Sequence, residues 1–434
     1  MKSPRQIAVE ALMKVDSRGA WSNLALDNQL ENYNMDSRDS AFVSALFYGV
    51  LERLVTLDAC IAAHSRTSLE KMSPAVRQAL RTGIYQLLYM DGVPDSAAVN
   101  ESVELVKKLR KAQAAGFVNG VLRSFLRGGK AVPVPGSPLA ASLSLEYSGP
   151  RPLVELWLEG YGEEAARRLL AGSLGRPPLY LRVNTLLITA EELISRLTAH
   201  GVETRPDGDL PHCLAVKKIG AVHQLPEYKR GFFHVQDKSS QLCALAVDAR
   251  PGMRVLDACS APGGKAFTLM QLMEGQGEIV AADLHSHRVK LIADRAKKMK
   301  LPGIGPRQSD MAVPDQSLGM FDRVLCDVPC SGLGVIRRKP EIKYKSLGDF
   351  EKLPSIQYKI LETTAQYCKV GGRVLYSTCT LNPVENEGVA ERFLGENQGF
   401  VPAELPPLLG GTMRTIQSEL GADGFFLAAF RRIG

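Results

Sequence analysis

The sequence predicts a multi-domain chain with an all-α N-terminal domain, a small α+β middle module and a C-terminal α/β domain with a Rossmann-like parallel sheet. Three observations carry that prediction. At 434 residues the chain exceeds what one hydrophobic core usually holds. Apolar residues recur at helical spacing through the first 130 positions. From about residue 231 short apolar runs alternate with helical ones, the pattern of βαβ units.

In the first part, PRQIAVEALMKV, RDSAFVSALFYGVLERLVTLDACIAAH and PAVRQALRTGIYQLLYM read as helices separated by short polar breaks. The segment GGKAVPVPGSP cannot continue a helix and reads as a linker. Residues 131–230 then combine this linker with a helical run, PLVELWLEGYGEEAARRLLAG, and the strand-like pieces PLYLRVNT and HCLAVKKI. In residues 231–434 the candidate strands are RVLDAC, EIVAAD, FDRVLCD and GRVLYSTC. AFTLMQLME, HRVKLIADRAKKM and SIQYKILETTAQYC are the helices between them, implying a parallel sheet covered on both faces. The final FFLAAFRRI reads as one more strand, antiparallel at the sheet edge.

The 45% hydrophobic and 23% charged composition is that of an ordinary soluble protein. No run of about 18 uncharged apolar residues occurs, and MKSPRQIAVEALMKV has no apolar signal core. The expectation is a cytoplasmic protein without a membrane partner. Eight cysteines are too few for a disulfide scaffold, and none forms a C-x-x-C pair, so no metal is expected. The net charge of +7 is unevenly placed. Leu105 to Lys130 holds seven basic residues, including Lys107, Lys108, Arg110 and Lys111, and no acid. A second cluster contains Arg337, Arg338, Lys339, Lys343 and Lys345, opposed only by Glu341. Such runs are often solvated helix faces. Two in separate regions favour a polyanionic partner such as nucleic acid.

The first C-terminal strand runs into Asp257-Ala-Cys259-Ser260-Ala261-Pro262-Gly263-Gly264-Lys265 and then a helix. Paired glycines at such a turn let the backbone approach a ligand closely. A phosphate-binding Walker loop would need Gly at 259 and Ser or Thr at 266; Cys259 and Ala266 stand there. The dinucleotide fingerprint G-x-G-x-x-G is also absent. Asp257, Asp283, Asp310 and Asp327 follow successive strands. Each alone would be read as a cap or turn residue. Together they suit a ligand with a ribose, an adenine and a positive centre but no phosphate, for which S-adenosylmethionine is the candidate.

Two thiols follow the fourth and fifth strands, in DVPCSG (Cys330) and YSTCT (Cys379). The ring carbon 5 of cytosine is a poor nucleophile toward a sulfonium methyl. A thiolate added to carbon 6 makes carbon 5 electron-rich, dividing one hard step into two. An acid must then support the ring nitrogen, and a base must remove the carbon-5 proton. The remaining cysteines Cys60, Cys213, Cys243, Cys326 and Cys368 read as core packing.

VLDACSAPGGK, DVPCSGLG and YSTCTLNPVENE resemble the signature motifs of the RNA cytosine carbon-5 methyltransferases, the NOL/NOP/Sun group. The helical first domain, clearest in RDSAFVSALFYGVLERL, resembles the NusB RNA-binding fold. That combination resembles the bacterial small-subunit ribosomal RNA methyltransferases of the RsmB (Sun/Fmu) type. The resemblance implies residues 1–130 as a NusB-like domain, 131–230 as linker and α+β module, and 231–434 as a Rossmann-like methyltransferase domain. It implies Cys379 as the nucleophile, Cys330 as the thiol that assists product release, and Asp327 as the acid at the cytosine or the methionine end of the cofactor. Cys259, Ser260, Ala261, Pro262, Gly263, Gly264 and Lys265, with Asp283, Asp310 and Asp327, would hold S-adenosylmethionine. Lys107, Lys108, Arg110, Lys111, Arg337, Arg338 and Lys343 would meet the RNA. The implied partner is 16S ribosomal RNA, naked or in an early assembly intermediate, bound by a monomer. The open alternatives are the same chemistry on transfer RNA and a non-catalytic NusB-like RNA-binding factor. Ala266 departs from the Thr usual after the lysine, and Ser260 and Val328 replace the more common alanines.

Overall fold

The computed structural model describes all residues except 1, 19–21, 34, 220–221 and 417–420. It divides into two compact units, residues 1–176 with 336–347, and residues 177–335 with 348–434.

The first unit is helical. Its principal helices span Pro4–Arg18, Ser22–Tyr33, Ser37–Glu52, Leu54–His64, Pro74–Tyr89, Asp95–Lys108, Ala115–Arg127, Leu139–Glu146 and Arg151–Gly172. The helix from Pro74 shows why this sequence folds so. Proline occupies its first turn, where the missing N–H is harmless. Val76, Ala79, Leu80, Ile84 and Leu87 then recur at three- and four-residue intervals and are all buried. They share a core with Leu46, Phe47, Leu122 and Phe125.

Two runs expected to be continuous helices are broken. RDSAFVSALFYGVLERLVTLDACIAAH bends by 77° between Glu52 and Leu54. The long run beginning PLVELW is interrupted at Gly162, which adopts φ +78 and ψ +170. That conformation is accessible to glycine and leaves the helical register. No single helix among the described residues is long and apolar enough to cross a membrane.

The first bend has a structural consequence. A helix ends with carbonyls that lack intrahelical partners. Here Tyr344 Oη donates to the Leu51 carbonyl at 2.7 Å, and the Lys343 ammonium donates to that of Glu52. Ile336–Leu347, although it lies between two strands of the second unit in sequence, therefore belongs to the helical unit. Glu341 joins it by accepting from the Ser22 N–H at 3.1 Å.

The second unit carries two sheets. The smaller comprises β1 (Leu179–Val183), β2 (Glu203–Pro206), β3 (Cys213–Lys218) and β4 (Phe233–Val235), in the order β2-β3-β1-β4. Its described pairings are antiparallel. The helix Ala190–Ala199 buries Leu193 and Leu197 against Leu181, Val183 and Phe233 of this sheet. Asn184 Nδ2 fastens the module by donating to the carbonyls of Gly231 and Met299, at 2.9 and 2.8 Å.

The larger sheet comprises β5 (Arg254–Asp257), β6 (Glu278–Asp283), β7 (Ile304–Gln308), β8 (Phe321–Asp327), β9 (Cys368–Thr378), β10 (Phe400–Pro402), β11 (Met413–Ile416) and β12 (Phe425–Arg432). The order is β10-β12-β9-β8-β5-β6-β7, with β11 also pairing β12. Strands β5 to β9 are mutually parallel. Alternate residues supply the two faces: Val255, Ile279 and Leu325 pack on one, Leu256, Val280 and Val324 on the other.

The terminal strand is antiparallel as expected, but not at the edge. β12 pairs β9 on one side and β10 and β11 on the other. Its run from Phe425 to Phe430 is buried throughout, which is how an interior strand reads. Cys368, read as the end of a helix, instead begins β9.

Candidate active site

Strand order places the chemistry. The first strand, β5, has its successor β6 on one side and the later strand β8 on the other, so the crevice between β5 and β8 is the topological switch point where open sheets bind ligands. The order β8-β5-β6-β7 sets the four aspartates in the spatial sequence Asp327, Asp257, Asp283, Asp310 along the carboxyl edge.

The turn after β5 is built for close approach. Gly263 adopts φ +99, and a Cβ there would collide with the Phe267 ring. The helix Gly264–Leu272 starts immediately afterwards. Ser260 N–H is held by the Ala282 carbonyl at 2.8 Å, and Gly263 N–H by the Ser260 carbonyl at 2.7 Å. The Ala261 carbonyl accepts from Arg288 Nη2 at 3.0 Å, and Pro262 is exposed at the tip.

Three of the acids differ sharply in their surroundings. Asp257 is 1% exposed, and burial pushes its carboxyl up to about 7. The buried Ser260 hydroxyl opposes that shift as a hydrogen-bonding neighbour, and apart from each other neither group meets a partner among the described residues. Unsatisfied groups at that depth are costly, and they face the strand end where a ligand would complete them. Asp283, 3% exposed, accepts from the His285 N–H at 3.1 Å and pairs with Arg288 at 3.2 Å. Asp310 lies two residues past β7, exposed, and closes a turn on the Ala312 N–H at 3.0 Å.

Asp327 sits at the other end of the row. One oxygen pairs with Lys265 Nζ at 2.6 Å and the other accepts from Ser377 Oγ at 2.9 Å. Burial works against the Lys265 charge, but Asp327 outweighs it and holds the ammonium above its ordinary range. Its Nζ also lies 5.1 Å from the Phe425 ring centre. Lys265, expected among the ligand-loop residues, is thus committed to Asp327. Ala266 is fully buried, so the residue that replaces the usual Thr packs in the core. Cys259 is half-buried, its thiol pushed up by burial.

The two thiols come together. β8 and β9 are parallel neighbours with Asp327 opposite Ser377. Cys330 and Cys379 follow three and two residues later, and their Sγ atoms are 3.2 Å apart. Cys330 is held well above the ordinary thiol range, first by its bond with Cys379 and then by burial. Either sulfur can be the donor in this contact. Cys60, Cys213, Cys243, Cys326 and Cys368 are all buried. The sequence did not single out Ser377, Gln357, Thr380 or Glu385, which surround these loops. Glu385 lies in the quoted NPVENE run, whereas Gln357, on the helix Leu353–Ala365, had no signal of its own.

The basic residues divide. Lys107, Lys108 and Arg110 are exposed and Lys111 half-exposed, although Lys107 also pairs with Glu104 at 2.6 Å. Arg337 and Arg338 are half-buried, and Arg337 donates to the Arg176 carbonyl at 2.9 Å. Lys343 does not belong with them. It is 3% exposed with its ammonium on the Glu52 carbonyl, so it caps a helix and offers nothing to a phosphate. Among the described residues, no group of three or more His, Cys, Asp or Glu could hold a metal ion.

Known proteins resemble this chain in sequence and in fold. Residues 244–431 match the model of the family described as 16S rRNA methyltransferase RsmB/F, and residues 2–127 match the NusB family. Residues 150–223 match the ferredoxin-like domain of RsmF/B-like methyltransferases. A curated relative from Bacillus subtilis (strain 168), a probable ribosomal RNA small subunit methyltransferase B, is 36% identical across 100% of this chain and 99% of its own. The crystal structure of PH0851 superposes with a TM-score of 0.82 at 24% identity, covering 100% of this chain and 99% of that one. A methyltransferase homologue from Pyrococcus horikoshii superposes with a TM-score of 0.60 at 26% identity, over 68% of this chain and 100% of its own.

Proposed function

Since this chain belongs to the RsmB/F family of 16S rRNA methyltransferases, we propose that it transfers a methyl group from S-adenosylmethionine to carbon 5 of a cytosine in 16S ribosomal RNA through a covalent cysteine–cytosine intermediate. The observation that carries this reading is the thiol pair, Cys330 and Cys379, 3.2 Å apart beside the Asp327–Lys265 ion pair. Methylation at an amine or a hydroxyl needs no thiol, whereas carbon 5 of cytosine becomes nucleophilic once a thiolate adds to carbon 6.

S-adenosylmethionine supplies an electrophilic methyl on a sulfonium. The residues fit it: the turn at Gly263 and Gly264 admits close backbone approach, Asp283 presents a buried carboxylate for a ribose, and Asp257 and Ser260 have no partner beyond each other. Cys379 adds its sulfur to carbon 6 of the cytosine, giving up its proton, and carbon 5 becomes the nucleophile. After transfer, the carbon-5 proton leaves to a base and the carbon–sulfur bond breaks, returning the electron pair to Cys379. Cys330 serves that release from a hydrogen-bonding distance. Asp327, fixed by Lys265 and Ser377, is the acid on hand for the ring. Lys107, Lys108, Arg110 and Lys111 form the RNA-facing group of the NusB-like domain, with Arg337 and Arg338 as further candidates.

The test uses a 16S transcript and S-adenosylmethionine. Cys330→Ala should form a protein–RNA band that survives denaturing electrophoresis, and adding Cys379→Ala should erase it. A band from the Cys379 variant alone would reverse the two roles. Normal turnover by the Cys330 variant would end the division of labour.

A further inference from the structure

Beneath the thiol pair lies a buried polar network that the chemistry described so far does not use. Its centre is Glu385, which is 0% exposed. One of its oxygens accepts from the Ser331 N–H at 2.9 Å and from Gln357 Nε2 at 2.8 Å. The other accepts from Asn382 Nδ2 at 2.9 Å. Gln357, also 0% exposed, donates in addition to the Pro329 carbonyl at 3.0 Å. The backbone on both sides of Cys330 is therefore tied to one carboxylate, directly at Ser331 and through Gln357 at Pro329.

The same network holds the loop of Cys379. Tyr376 Oη donates to the Glu385 carbonyl at 2.6 Å, and the Asn386 amide donates to the Thr380 carbonyl at 3.1 Å. Thr380 Oγ1 is 2.6 Å from Ser331 Oγ and accepts from the Leu333 N–H at 3.2 Å. The Gly334 N–H donates to the Cys379 carbonyl at 3.1 Å. Two loops that extend past neighbouring strands have few ladder bonds left, so these side chains set the distance between their thiols.

We propose that Glu385 is the positioning residue for Cys330: its carboxylate, acting with Gln357, fixes the Pro329–Ser331 backbone so that the Cys330 thiol stays within reach of the Cys379 sulfur for product release. This rests on the division of labour between the thiols set out above. Glu385 is not itself placed to touch a substrate, because it is fully buried and three donors already converge on it. A carboxylate suits the place because it is acceptor-only, and each of those donors needs an acceptor. Its negative charge also helps keep the proton on Cys330. Attack by Cys379 does not draw on the Cys330 thiol, so displacing Cys330 should impair release more than attack.

The variants are Glu385→Leu, Gln357→Leu and Glu385→Gln, compared with Cys330→Ala on the same 16S transcript with S-adenosylmethionine. Glu385→Leu orphans three buried donors and should slow turnover about ten- to a hundred-fold, with the RNA-linked band accumulating as in Cys330→Ala. Gln357→Leu removes the Pro329 tie and one of the three donors to Glu385 but leaves the Ser331 bond, and should accumulate the same band to a smaller degree. Glu385→Gln keeps an oxygen toward Ser331 and Gln357 and should recover release to within a few-fold of the unmodified enzyme. The S-adenosylmethionine dissociation constant should be unchanged in all three. If Cys330→Ala accumulates the band but neither leucine variant does, the positioning role is wrong while the thiol assignment stands. If Glu385→Leu does not fold, Gln357→Leu decides alone: a band supports the role and normal turnover overturns it. If Cys330→Ala itself shows no band, the thiol assignment fails and this role with it.

Discussion

Replacing Lys343 by methionine removes an ammonium from the interior of the helical unit while keeping most of the side-chain volume. Burial lowers the Lys343 pKa from 10.5 to about 7, with Glu52 opposing the shift and Arg53 adding to it. In the unfolded chain the lysine titrates near 10.4. Between these values the unfolded chain binds the extra proton, so stability rises with pH across that window. Below pH 7 the cost of the buried charge is fully present, and it disappears as pH climbs through the unfolded value. At 1.36 kcal/mol per pK unit, the whole window corresponds to about 5 kcal/mol. Between pH 7 and pH 9 it corresponds to about 2 kcal/mol, because the folded state still carries part of the proton at pH 7. Lys343→Met has no such titration, so the stability of the unmodified protein relative to the variant should rise by about that amount over those two pH units. Other groups titrate alike in both proteins and cancel in the difference. Urea unfolding followed by tryptophan fluorescence reads the correct unit: Trp157 is buried there, and the other tryptophan, at 21, lies in the same stretch of sequence. A gap that does not change between the two pH values would mean an ordinary solvated lysine, and Lys343 would return to the RNA-facing cluster.

Asp283→Ala should weaken S-adenosylmethionine binding about ten- to a hundred-fold, the worth of a hydrogen bond to a charged group, as read by calorimetric titration. Unchanged affinity would remove Asp283 from the cofactor site. Charge reversal at Lys107, Lys108, Arg110 and Lys111 should weaken binding to a 16S transcript and flatten its dependence on salt, since fewer counterions are released; a slope equal to that of the unmodified protein would make this run a solvated face. Cys379→Ala should abolish methyl transfer with cofactor affinity retained, and loss of both would indicate a structural thiol instead.

Much of the site was legible in the sequence because its chemistry is carried by residues a few positions past strand ends. Asp257, Asp283 and Asp327 each close an apolar run, and Gly263 marks a turn that a larger residue could not make. Cys330 and Cys379 could be placed past neighbouring strands for the same reason. Local periodicity also gave the helices of the first unit and the strands β5, β6, β8 and β9, since each depends on which residues share a face. What local pattern could not supply was long-range placement. The bend at Arg53 leaves no mark in a run whose helical periodicity continues past it, and Lys343 resembles its basic neighbours in sequence although its chain segment caps the helix that ends at Glu52. The interior position of β12 depends on β10 and β11 covering its far side, a matter of pairing between distant segments. Glu385 and Gln357 are 28 positions apart, and only packing brings both under Cys330. The sequence by itself determined which groups are candidates for the chemistry and the sheet edge that bears them, because those follow from local pattern. Only the tertiary structure decided the 3.2 Å between the thiols and the burial that separates Lys343 from Lys107, because distance and dielectric environment are properties of the packed chain.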